Sequence, residues 1–63
     1  MADYTYKFMV TIDDREQVVN RTKQNGLDST AADVAVTDEV VKEMERKNPK
    51  RQVSVQFIKK VRH

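Results

Sequence analysis

Side chains capable of covalent or metal chemistry are sparse in this chain. It has no cysteine, so disulfides and thiolate metal sites are unavailable and structural zinc is excluded. The hydroxyls of Ser29, Thr30 and Ser54 have one histidine to draw on, His63 at the final, fray-prone position, which disfavours a positioned Ser-His-acid arrangement. Asp13, Asp14 and Glu16 crowd together, but an oxygen-ligand cation loop needs ligands at alternate positions and a glycine to turn on. A turn held by an Asx or capping bond explains the cluster better. Gly26 is the only glycine, so Gly-rich phosphate cradles, and the nucleotide binding they support, are not expected. Asp28, Asp33, Asp38, Glu39, Glu43 and Glu45 could supply acid and base pairs, yet no pattern marks two of them as buried. The expectation is a non-enzymatic protein with no catalytic residues, no metal and no cofactor.

Charge is the feature above background. Residues 1–45 hold five basic and ten acidic side chains, whereas residues 46–63 hold seven basic and none acidic, so a net charge of +2 conceals two ends of opposite sign. From the basic set, Lys47, Lys50, Arg51, Lys59, Lys60 and Arg62 are candidate macromolecule-binding residues, able to neutralise phosphates with counterion release or to meet an acidic protein surface. A bland account stands beside this one. Arg46 and Lys47 complement a helix dipole, Lys50 and Arg51 solvate a turn, and Lys59 to Arg62 guard a strand edge. A strand of about ten residues at roughly 3.3 Å each also sets Lys59 to Arg62 far from the Lys47 to Arg51 turn, so two patches are expected rather than one.

The elements that must carry these residues follow from periodicity. In YTYKFMVTI, Tyr4, Tyr6, Phe8, Val10 and Ile12 alternate with Thr5, Lys7, Met9 and Thr11, which is strand spacing with aromatic and β-branched residues. In QVSVQFIKKVR, uninterrupted alternation puts Val53, Val55, Phe57 and Val61 on one face and Ser54, Gln56, Ile58, Lys60 and Arg62 on the other. TDEVVKEMERKNP reads as a helix capped by Thr37, with Val40, Val41 and Met44 as its apolar stripe and Pro49 as its stop. Asp13 to Gly26 reads as a turn and a second strand rather than a helix, because only Val18 and Val19 are apolar between Asp14 and Gly26. LDSTAADVAVT fits either a helical turn capped by Ser29 or Thr30, or a short extended piece with Val34 and Val36 inward. All four aromatic side chains, Tyr4, Tyr6, Phe8 and Phe57, fall on faces assigned to packing, which weakens a base-stacking nucleic-acid reading.

Sixty-three residues, 38% hydrophobic and 35% charged, fit one small globular domain over residues 1–63. The expected class is α+β: a single-layer antiparallel or mixed sheet of two or three strands with one main helix on one face. The preferred order is β-β-α-β, with β-α-α-β as the alternative. Its uncovered face would present Met9 and Ile58 among polar neighbours, making a second copy of the chain a candidate partner. No apolar run suggests a secretory leader or a membrane span, so a cytoplasmic location without membrane contact is the default. The leading functional expectation is a small binding protein that occupies a surface of a protein partner, as regulator, inhibitor or accessory subunit. The alternative is a nucleic-acid-binding protein that contacts phosphates through its basic carboxyl-terminal third.

Overall fold

Alternation of apolar and polar residues produces the strands, and the computed structural model, which describes residues 2–63, arranges them as expected. β1 spans Ala2–Ile12, β2 Arg15–Gly26, α1 Thr30–Lys47 and β3 Val53–Arg62. The strands form one antiparallel sheet in the order β2-β1-β3, so the aromatic-rich first strand is central. The chain is therefore a small α+β protein of order β-β-α-β, and Asp13 to Gly26 is turn and strand.

Asp13 and Asp14 join β1 to β2 with φ of 48° and 69°. Two consecutive left-handed residues suit a two-residue hairpin whose twist matches its strands, and short polar side chains tolerate that region. Asp13 also fixes the hairpin to the chain entering β3. Its carboxylate accepts from the Gln52 amide at 3.1 Å and from Arg51 at 2.9 Å, while its own amide donates to the Gln52 carbonyl.

α1 begins earlier than the Thr37 cap anticipated. Ser29 is the N-cap, its hydroxyl accepting from the Ala32 amide at 3.1 Å, and Thr37 lies within the helix, donating to the Asp33 carbonyl. Ala31, Ala32 and Ala35 favour helix strongly enough to extend it backwards. The buried stripe is consequently Val36, Val40 and Met44, one residue every four, while Val34 is 55% exposed and Val41 only partly buried. At the far end Asn48 caps the helix through the Met44 carbonyl, to which its backbone and side-chain amides both donate.

The core lies between this stripe and one face of the sheet. Tyr4, Tyr6, Phe8 and Val10 are buried there with Val36, Val40 and Met44, and Val53, Val55 and Phe57 pack at the margin. Phe8 faces Phe57 across the β1–β3 ladder, their ring centroids 5.8 Å apart. Such aromatic pairs contribute beyond the area they bury.

One departure from alternation matters more than any other. The β1–β3 register runs Phe8 to Phe57 but Lys7 to Lys59, so Ile58 is an extra residue, a β-bulge. Directly opposed residues share a face, and beyond the bulge the parity of β3 is therefore reversed. Lys60, opposite Tyr6, and Arg62, opposite Tyr4, lie on the helix side. Val61, opposite Thr5, lies on the open side and is 45% exposed. These three positions correct the uninterrupted pattern, which put Val61 with the core and Lys60 and Arg62 on the opposite face.

Phe8 is fully buried, and Phe→Ala at such a site costs roughly 3–5 kcal/mol, about the whole stability that a core of this size supplies. Phe8→Ala is expected to abolish the cooperative thermal transition followed by circular dichroism. Val18→Ala, on the open side, is expected to move the urea midpoint by the equivalent of at most about 0.5 kcal/mol.

Candidate functional site

The bulge separates two adjacent lysines into different roles. Lys60 projects to the helix side, where its Nζ lies 2.5 Å from an Asp28 carboxylate oxygen and 2.9 Å from one of Asp33. The same ammonium stands 5.4 Å from the centroid of the Tyr4 ring, a cation–π contact. One side chain thus links β3, the loop before α1, the first turn of α1 and the core edge. These contacts raise the Lys60 pKa, the hydrogen bond it donates to Asp28 first and that to Asp33 second. The Lys60 hydrogen bond in turn lowers the Asp28 pKa. Tyr6, opposite Lys60, is shifted upward by burial and then by the Asp33 charge.

Other cations of the basic set are also engaged. Lys47 lies 3.7 Å from Glu43, one helical turn back, and Arg51 lies 2.9 Å from Asp13. From β2, Arg21 pairs with Glu43 and Lys23 with Glu39, so the helix acids answer the strand cations beneath them. Lys50, Lys59 and Arg62 have no ion-pair partner among the described residues, but they do not converge. Lys50 sits in the turn after α1 with φ of 67°, near the end of the sheet where Val53 faces Ile12. Arg62 lies at the opposite end of the sheet on the helix side, and Lys59 is on the open side.

Lys59 instead meets a residue that charge counting did not single out. It is directly opposite Lys7 in the β1–β3 ladder, and Asn20 flanks Lys7 on β2. Neither lysine has a carboxylate within ion-pair distance among the described residues. Around them the open face is aliphatic and neutral: Met9 faces Val18, Thr5 faces Thr22 and Val61, and Val18, Ile58 and Val61 are 50%, 45% and 45% exposed. Alternation in YTYKFMVTI already assigned Lys7 to this side, but only the register reveals its facing partner. His63 is anchored rather than frayed, its amide donating to the Asp3 carbonyl at 2.8 Å and its Nε2 lying 2.5 Å from the Thr5 hydroxyl.

Among the described residues there is no cluster of histidine and carboxylate ligands suited to a metal, and no helix long and apolar enough to cross a membrane. The cleft beside the hairpin, lined by Arg15, Gln17, Asn48 and Arg51 among others, contains the Asp13–Arg51 ion pair and no histidine. Comparison with protein-family models, with curated proteins and with solved structures finds no match to this chain.

The Lys60 clamp sets an acid dependence. A carboxylate whose folded pKa is depressed contributes stability above its unfolded pKa, ordinarily near 3.8, and loses it as pH falls through the folded value. Lys60, raised, contributes below its unfolded pKa near 10.5 and loses that only as pH climbs beyond the usual lysine range. The urea midpoint is therefore expected to drop as pH falls from about 4 toward 2, with no loss between pH 7 and about 10 from this cluster. Lys60→Met should flatten the Asp28 part of that acid decline, measured by urea titrations at stepped pH.

Proposed function

We propose that this chain is a small, non-enzymatic cytoplasmic protein that works by occupying a surface of a protein partner, as a regulator, inhibitor or accessory subunit, and that the open face of its sheet is the contacting surface. The observation that carries this reading is the half-exposure of Val18, Ile58 and Val61 on one continuous face, together with Met9. Scattered exposed aliphatics are ordinary on a monomer, but several on one face, rimmed by threonine, asparagine and lysine, have the composition of a protein contact. The sparse chemistry of the cleft and of the hydroxyls supports the non-enzymatic part.

The nucleic-acid alternative has weaker support. Lys47, Arg51 and Lys60 are already paired with carboxylates. Lys50, Lys59 and Arg62 are spread over both ends and both sides of the sheet, and the aromatics that would stack on bases pack against the helix.

Affinity capture from nuclease-treated lysate, with wild type and Val18→Asp in parallel, tests the reading. Recovery of a protein by wild type that Val18→Asp reduces at least about tenfold is the expected outcome. Recovery of nucleic acid alone from an untreated lysate, or equal recovery of every protein by both baits, would contradict it.

A further inference from the structure

The open face poses an electrostatic question that the fold itself leaves unanswered. Like charges directly opposite one another in an antiparallel pair are destabilising, and Lys7 and Lys59 are so placed. The residues around the pair on that face are uncharged, among them Thr5, Met9, Val18, Asn20, Gln56 and Val61. The carboxylates of that face, Asp3 on β1 and Glu16 opposite Thr11, each stand four residues along the strand from the Lys7 level. At roughly 3.3 Å per residue neither is in reach. Elsewhere Arg21, Lys23, Lys47, Arg51 and Lys60 are matched by carboxylates, and among the described residues Lys7 and Lys59 are the only like charges directly opposed in the ladders. The open face thus combines an unmatched dication with half-exposed aliphatics.

We infer that this face docks an acidic segment of another protein, one that places two carboxylates over Lys7 and Lys59 and aliphatic side chains over Val18, Ile58 and Val61; the inference rests on the protein-binding reading above and gives it a partner chemistry. Charge complementarity selects this occupant over a second copy of the chain. A symmetric dimer stacked on the middle of the face, at Met9, has two arrangements. With its two-fold axis along the strands, Lys7 lies over Lys7; with the axis across them, Lys7 lies over Thr11 and Lys59 over Ser54. The second brings the other copy's Glu16 over Asn20, beside Lys7, but neither places a carboxylate over Lys59, two strands away from Asn20. A nucleic-acid backbone would neutralise the lysines but leave the aliphatics against phosphates, with no tyrosine or phenylalanine on this side to stack on a base.

The test uses the isotope-labelled full chain and nuclear magnetic resonance titration with synthetic probes. These are an amphipathic peptide with leucines on one face flanked by glutamates, the same peptide with lysines for glutamates, and a thymidine oligonucleotide. The acidic peptide is expected to shift the amides of Lys7, Val18, Lys59 and Val61, and to bind more weakly as salt is raised. The lysine peptide is expected to leave them unmoved. Lys7→Glu should weaken the acidic peptide by at least about tenfold while raising Tm by about 2–5 °C, because the new carboxylate faces Lys59. That opposite movement of binding and stability separates a docking role from a structural one.

No shift at millimolar acidic peptide, shifts confined to the helix side, stronger binding of the oligonucleotide to this face, or a wild-type dimer through it would each overturn the inference. The inference can fail while the protein-binding reading stands. If Val18→Asp loses a captured protein that Lys7→Glu retains, the face binds protein but its partner is not recognised through these lysines.

Discussion

Lys60 reaches the helix side of the sheet because the β1–β3 ladder skips one residue between Phe57 and Lys59. Without that skip, Lys60 would stand on the open face, and Asp28 and Asp33 would lose the ammonium they share. The consequence extends across both faces. On one side a single cation ties the loop, the first turn of the helix and the Tyr4 ring to the end of β3. On the other, the same reversal of parity exposes Val61 and sets Lys59 against Lys7. Bulges disrupt a ladder locally and re-aim side chains; this one assigns one lysine of a pair to structure and the other to the surface.

The strands were legible because strict alternation in a half-buried sheet leaves a period-two record, and YTYKFMVTI keeps that record for its whole length. The bulge was not legible. FIKKVR contains no glycine or proline at the irregularity, and a bulge is decided by which residue of β1 each residue of β3 faces, a long-range property. The helix start was half legible. Ser29 is a good cap, but Thr37 is followed by Asp38 and Glu39 and offers a competing signal that only packing resolves. Val36 decides the outcome, since it extends the Val40 and Met44 stripe by one turn and is buried against the sheet.

Charge behaved differently in sequence and in space. The division of the chain into an acidic first part and a basic last part suggests a polar molecule, yet folding brings the two together. Antiparallel pairing sets the end of β3 against the start of β1, and α1 lies over the sheet, so Asp28 and Asp33 meet Lys60 and Asp13 meets Arg51. The basic candidates were therefore readable as residues, but their availability was not, because availability depends on partners remote in sequence. Most such pairs on exposed surface contribute at most about 1 kcal/mol each; their larger effect is to remove cations from the set that could meet another molecule.

What folding leaves unmatched is then more informative than the original excess. Among the described residues the seven buried ones all lie between the sheet and α1, so a domain this small has one side of its sheet with no share in the core. Substitutions there are constrained little by stability, and a cross-strand pair of opposite charge would be preferred at positions 7 and 59 if stability alone chose. Like charges among half-exposed aliphatics are instead the arrangement that gains from a partner. A covering acidic segment would remove the repulsion and bury Val18, Ile58 and Val61 in one step, so the same face that weakens the isolated domain supplies a difference in free energy between its covered and uncovered states.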